Sequence, residues 1–283
     1  MNRRIAFSGA VLAARMAMGS KKRRASFETT ELELPLPIDP VHDGLKVAQL
    51  SDLHLGLATP AERVRSAIDA INAAQVDLVA LTGDFVTYSQ KPMPLISQLL
   101  QGFTAPVFAV LGNHDHWIDA GGVVRQLTRA GAEVLRNQHT KVWLRGAPLT
   151  VVGVDDGLTG NDDVEAAFRG VEVGAGGTTL VLAHTPPTAQ RLPENAGLLC
   201  LSGHTHGGQL VVPKVTDAIL RRSGQPYVRG LYKVRGNRLY VNRGLGYGPG
   251  GPAIRLGARP ELTIFTMRCV APTGQTNSPS STA

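Results

Sequence analysis

Asp52 and His54 stand two residues apart in Ser51-Asp52-Leu53-His54-Leu55-Gly56, directly after the apolar run Leu45–Leu50. A carboxylate and an imidazole are both donors that a divalent cation accepts. Because side chains at i and i+2 of a strand share a face, a strand ending here turns both donors toward one ion and leaves Leu53 in the core. An isolated Asp-x-His is common by chance. Its weight comes from four more groups farther along the chain, each just past a short apolar run: Gly83-Asp84, Gly112-Asn113-His114-Asp115, His184, and Gly203-His204-Thr205-His206. Each has a plain alternative. Asp84 and Asn113 are residue types that favour turns. His184 closes Leu180-Val181-Leu182-Ala183, where a core histidine would be ordinary, and His204 with His206 could form a polar rim. Five of the eight histidines fall in these groups, which leaves His42, His116 and His139 without a chemical task. Of these, His116 lies near enough in the chain to stand beside the site or support it.

The elements that must position these groups are read from the spacing of apolar residues. Residues 31–36 alternate acidic and apolar side chains, as an edge strand does. Val64, Ala67, Ile68 and Ile71 recur at helical spacing within residues 60–74, between the strands Leu45–Leu50 and 77–81. That is a β-α-β unit. The pattern repeats through a helix near Met93–Leu100, a strand at 106–111 and a helix near 122–130, so a mostly parallel sheet is expected. Ligands of such sheets bind beyond the carboxyl ends of the strands, where Asp52, Asp84 and Asn113 lie. The second half is richer in strands, expected at 141–144, 149–154, Thr178–Ala183, 198–201, 209–212, 228–234, 238–242 and 261–267. A second sheet packed on the first is the consequence.

The strings SDLHLG, LTGDF, LGNHD and SGHTHGGQ, with the later YVNRGLG and IRLGARPEL, occur in that order. In combination they resemble the calcineurin-like metallophosphoesterases over residues 45–267, and within that superfamily the bacterial membrane-associated phosphodiesterases. The resemblance implies an α/β fold of two facing mixed β-sheets flanked by helices, four layers in the order α/β/β/α, which agrees with the elements above. It also implies a phosphoester hydrolase, phosphodiesters favoured, carrying two divalent metal ions. Manganese, iron, zinc and similar metals all accept such donors. Asp52, His54 and His206 would hold the first ion, Asn113, His184 and His204 the second, and Asp84 would bridge. Two ions about 3.5–4 Å apart lower the pKa of a bridging water and clamp the oxygens of an in-line displacement. His114 matches a histidine that is not a ligand and that stabilises the transition state or protonates the leaving oxygen, with Asp115 fixing its tautomer. Arg255, at the end of a Gly- and Pro-rich loop, is a candidate substrate contact, and Asp155-Asp156 a candidate turn cap. His184-Thr185-Pro186-Pro187 departs from the family pattern, where asparagine and aspartate surround the proline, but keeps the ligand.

At 43% hydrophobic content, 283 residues suffice for one large domain, and no repeat or linker divides them. The expected organisation is an N-terminal segment of residues 1–30, a catalytic domain of residues 31–270, and a disordered tail of residues 271–283 rich in Ser, Thr, Pro and Gly. Cys200 and Cys269 are too few for a disulfide framework. The net charge of +7 favours anionic partners, but seven basic residues precede residue 25, so the domain itself is less basic. With 5% aromatic residues there is no basic aromatic face for nucleic acid, and a complete ligand set argues against a non-catalytic scaffold. Residues 5–14, as a helix, would reach about 15 Å against the roughly 30 Å of a bilayer core. Flanked by Arg3-Arg4 and Lys21-Lys22-Arg23-Arg24, they read as a segment lying on an anionic membrane surface, as an export signal, or as a basic tail. If the segment inserts, the larger positive charge after it places the domain on the cytoplasmic side. The expected partners are therefore a phosphoester substrate, lipid-linked or a nucleotide sugar, and an anionic membrane surface.

Overall fold

In a computed structural model the described residues are 26–56, 59–174, 176–212, 215–248 and 254–270. The expectations for residues 1–25 and for the tail lie outside them. The first half runs β1 (Glu28–Leu36), β2 (Leu45–Leu50), α1 (Ala61–Ala73), β3 (Leu78–Thr82), α2 (Met93–Leu100), β4 (Val107–Val110), α3 (Asn113–Arg129) and β5 (Ala132–Val134). The second runs β6 (Gln138–Leu144), β7 (Ala147–Val154), α4 (Val164–Phe168), β8 (Thr178–Ala183), β9 (Leu199–Ser202), α5 (Val215–Arg222), β10 (Gly230–Val234), β11 (Asn237–Val241) and β12 (Glu261–Cys269).

Two six-stranded mixed sheets result, in the orders β1-β12-β2-β3-β4-β5 and β10-β11-β9-β8-β7-β6. Strands β2 to β5 are parallel, as are β7, β8, β9 and β11. Every residue of β3, β4 and β8 is buried, as parallel strands covered on both faces require. Alternate residues divide between two cores. Val47, Leu78, Ala80 and Phe108 meet Val151, Leu180, Leu182 and Leu199 between the sheets. Ala48, Leu50, Val79 and Leu81 face outward onto Val64, Ile68 and Ile71 of α1 and Ile96 and Leu100 of α2. A third cluster covers the outer face of the second sheet with Ala167 of α4 and with Ala189 and Leu192. The expected α/β fold of two facing mixed sheets flanked by helices is thus the observed one.

Two expectations are corrected. Residues 209–212 form no strand; Leu210 makes only isolated bridges with Leu256 and Gly257, and no sheet lies alongside. The helix expected at 122–130 begins at Asn113 instead and is broken at Asp119, whose φ of −175° and ψ of 86° are not helical. Its first turns lack apolar periodicity and are held by a cap rather than by packing. The last helices, α4 and α5, and the short β5 had no legible pattern. Both cysteines are free thiols.

Candidate metal centre

The ligand candidates lie just past the carboxyl ends of β2, β3, β4, β8 and β9, with Asn113 opening α3. The chain leaves these strands through tight reversals rather than by extension. Asp52, His54, Asp84, His204 and His206 have φ of 51°, 43°, 56°, 71° and 51°. This left-handed region is one that Asp, Asn and His enter more readily than most residues, at a cost of about 1 kcal/mol or more each. Asp52 and His54 do converge, with Leu53 buried. They do so by left-handed backbone beyond the strand, however, and not by the i, i+2 geometry of the strand itself.

Glycines admit the close approaches. A Cβ on Gly112 would collide with the Asp84 carboxylate, and one on Gly203 with the side chains of Ser51 and Asp52. These contacts bring the β2, β3, β4 and β9 loops into one cluster.

Two groups of donors result, all buried except the partly buried His204. In the first, Asp52, His54 and His206 offer atoms all within 4.8 Å of one another, and in the second Asp84, His184 and His204 do the same. Asn113 joins the second, its Oδ1 lying 3.0 Å from His204 Nδ1. The two meet at a single atom: Asp84 Oδ2 lies 3.5 Å from His54 Nε2 and 3.3 Å from His184 Nε2. Its other oxygen accepts the backbone N–H of His114 at 3.0 Å, so the start of α3 fixes the carboxylate's orientation.

The donors are held from outside. His184 Nδ1 lies 2.7 Å from the Thr82 carbonyl and His54 Nδ1 3.0 Å from Thr87 Oγ1. His204 Nε2 lies 3.2 Å from Gln225 Nε2. The Thr82 carbonyl fixes the Nδ1–H tautomer of His184 and leaves Nε2 as the inward donor, a pattern usual behind metal-bound imidazoles. That Nε2 is buried and has no hydrogen-bond partner. A divalent cation beside Asp84 Oδ2 would give it one, so the residues present fit a metal.

The electrostatics point the same way. Burial, then repulsion from His184, holds His204 down to about 4, and burial likewise holds His54 at about 4. His206 lies well below its usual range through burial, His54 and Arg255. All three are therefore neutral lone-pair donors near pH 7, the form a metal binds. For Asp84, burial opposes ionisation, but the neighbouring His184 prevails and keeps it a carboxylate. Burial also opposes the charge of His184, yet Asp84 raises it well above its usual range, so His184 carries at Nε2 the proton that a cation beside Asp84 would replace.

His114 belongs to neither group. Its Nδ1 lies 2.9 Å from the Thr87 carbonyl, and its ring stands edge-on to His54, Tyr88 and Trp117. The expected support from Asp115 is corrected. Successive helical residues point about 100° apart, so Asp115 turns inward and accepts the backbone N–H groups of Asp84, Phe85, Val86 and Gly112. It ties the β3 loop to the α3 N-terminus; Thr87 is what holds His114. Burial and the Asp84 charge raise the Asp115 carboxyl to about 7.

Arg255 lies against the centre rather than apart from it. It donates to His206 Nδ1 at 2.8 Å, to the His206 carbonyl at 3.2 Å, and to the carbonyls of Arg243 and Gly246. Asp156 caps the Thr159 N–H, as expected of a turn residue, while Asp155 pairs with His116 at 2.6 Å and with Arg136 at 2.8 Å. Sequence reasoning missed Thr87, Gln225 and the buried Arg63, whose guanidinium donates to the Leu245 carbonyl and to Tyr247. None carries a motif. Gln49 is the exception, a buried polar residue in a mostly apolar strand, and its amide bridges Thr82 and the Ser202 carbonyl across the sheets.

A two-sheet α/β fold with histidine and carboxylate groups gathered at strand ends defines a metal-dependent hydrolase class. Residues 45–208 match the calcineurin-like phosphoesterases, and the chain belongs to that family. It is 33% identical to the uncharacterized metallophosphoesterase YkuE of Bacillus subtilis, over 85% of each chain. It is 32% identical to the phosphodiesterase YaeI of Escherichia coli, over 78% of this chain and 82% of that one. Identity to the UDP-2,3-diacylglucosamine pyrophosphatase LpxG of Chlamydia trachomatis is 27%, over 85% of this chain and 88% of LpxG. The fold is similar to that of a 5'-nucleotidase precursor from Thermus thermophilus, with a TM-score of 0.50 and 17% identity over 78% of this chain and 54% of that one. The chain is thus a hydrolase of phosphoesters. Among the described residues no helix is long and apolar enough to cross a membrane.

Proposed function

We propose that the chain hydrolyses a phosphodiester or the diphosphate link of a nucleotide sugar, with a lipid-linked substrate favoured, at a centre of two divalent ions. One observation carries this reading: Asp84 Oδ2 faces both donor groups, at 3.5 and 3.3 Å. Asp52, His54 and His206 would hold one ion, Asn113, His184 and His204 the other, with Asp84 shared. Bound there, the ions would supply a nucleophilic water at neutral pH and neutralise the phosphoryl oxygens.

The chain's own residues do the rest. His114, outside both groups, is placed to give a proton from Nε2 to the departing oxygen, because its Nδ1 is engaged by the Thr87 carbonyl. Asp115 keeps the Asp84 loop in register with the α3 N-terminus. Arg255 positions His206 and the 244–246 loop. The substrate class is supported by the activity that the name of LpxG records and by the basic, apolar N-terminal stretch of the sequence.

The test is Asp84→Ala, assayed for bound metal per chain and for turnover of a bis-aryl phosphodiester. Loss of a ligand common to both ions should lower metal content and abolish turnover. A variant with full metal content and full activity would overturn the assignment.

A further inference from the structure

Helix α5 has no buried residue. Val215 and Ile219, four positions apart and so on one face, are 51% and 59% exposed. Two neighbouring segments extend this face. Leu210 and Val212 are 46% and 56% exposed, and Ile254 and Leu256 are 56% and 66% exposed. The three segments are tied together. The Val211 N–H donates to the Leu256 carbonyl at 2.8 Å and the Leu256 N–H to the Gln209 carbonyl at 3.0 Å. Thr216 Oγ1 joins the Val212 N–H at 2.9 Å and the Leu210 carbonyl at 3.0 Å. Six large apolar side chains therefore share one exposed surface. A patch of this kind on a soluble fold marks a contact surface.

That surface adjoins the metal centre. Gln225, just past α5, reaches His204 Nε2 at 3.2 Å, and Arg229 reaches the Gly207 carbonyl at 2.9 Å. Its charge is one-sided. The only acidic residue of α5, Asp217, is paired with Arg229 at 2.9 Å. Arg221 and Arg222 in the last turn are exposed and, among the described residues, form no ion pair. Apolar side chains flanked by free arginines suit the interface of an anionic bilayer, where the former enter the acyl boundary and the latter meet lipid phosphates. A second copy of the chain across a two-fold axis would instead bring like charges together.

We infer that α5 with residues 209–212 and 254–257 docks the rim of the metal centre onto an anionic phospholipid surface. The inference rests on this surface alone, not on the identity of the substrate or on the N-terminal segment. Docking would hold the His204 and His206 side of the centre at the bilayer and let substrate enter from it.

The test uses the full chain with vesicles of phosphatidylglycerol or of phosphatidylcholine. A polarity-sensitive dye is attached at Ile219→Cys in a Cys269→Ser background; Cys200 is buried and its thiol is pushed up to about 12, so it stays unlabelled. The dye should shift to the blue and be quenched by lipid-borne nitroxide on phosphatidylglycerol. The same dye at Leu158→Cys, also on an exposed residue, should stay in water. Ile219→Asp, and separately Arg221→Glu with Arg222→Glu, should each weaken vesicle binding about tenfold. Turnover of a soluble bis-aryl phosphodiester reports that each variant is folded. A dye at position 219 that stays wet on vesicle-bound chain would mean that another segment does the binding, and would overturn the proposal. So would unchanged binding by both charge variants, or a wild-type dimer that Ile219→Asp dissociates.

Discussion

At the scale of single residues the informative contrast is between His114 and its neighbours, because a proton donor and a metal ligand fail differently. His114 contributes no atom to either donor group, and its Nδ1 is engaged by the Thr87 carbonyl. His114→Ala is therefore expected to keep its metal and lose about 10²- to 10⁴-fold in rate on alkoxide leaving groups. The deficit should shrink on activated aryl esters, whose leaving oxygen needs no proton. Rates across a leaving-group series, with metal content alongside, check this; a uniform deficit would place His114 on the phosphoryl oxygens instead. All seven ligand candidates are legible in the sequence because their types are chemically narrow and each lies just past an apolar strand. The role of Asp115 is not, because adjacency in sequence is not adjacency in space. On a helix the next residue points elsewhere, and the four backbone N–H groups that Asp115 accepts come from two loops that no local pattern joins.

Between elements, Asp155 shows how the second sheet is fastened to the first near the centre. It ends the β7 stretch and accepts from His116 in α3 and from Arg136 in the connection after β5. Burial opposes its ionisation, but these two bonds prevail and its pKa is lowered. A carboxylate whose pKa is depressed on folding adds stability that is present above its unfolded value, about 3.9, and is lost as pH falls through the folded value. Asp155→Asn should lower stability at pH 7 by about 1.5–3 kcal/mol, the range for hydrogen bonds to charged groups. It should also flatten the loss of stability below pH 4. Thermal melts of both proteins from pH 3 to 7 decide this; parallel acid limbs would remove Asp155 from the account. The strands other than β5, with α1 and α2, are legible because their apolar patterns match their burial. The first turns of α3 are not, since Asn113-His114-Asp115-His116 shows no apolar stripe and is fixed by the Asp115 cap on the Gly112 N–H. Residues 209–212 mislead in the opposite sense: their apolar run faces solvent.

For the molecule as a whole, the last strand is what joins the two sheets through a shared core. β12 returns from the second sheet to lie between β1 and β2 of the first, parallel to one and antiparallel to the other. From that position Phe265, fully buried, meets Tyr240 of β11 edge-on at 5.0 Å. Tyr240 in turn donates to Glu261 at 2.9 Å, and Arg243 pairs with the same carboxylate at 3.0 Å. Strands β11 and β12 are neighbours in the chain but belong to different sheets, and neither segment alone reveals that they face each other. Removal of this contact should be felt everywhere. Phe265→Ala leaves a cavity between the sheets and is expected to cost about 3–5 kcal/mol. It should do so without splitting the unfolding transition, because both sheets share the core it enters. Urea unfolding followed by circular dichroism and, independently, by release of bound metal should give coincident curves at a lower midpoint. Metal release well ahead of the loss of secondary structure would show instead that the centre and the core are separate cooperative units.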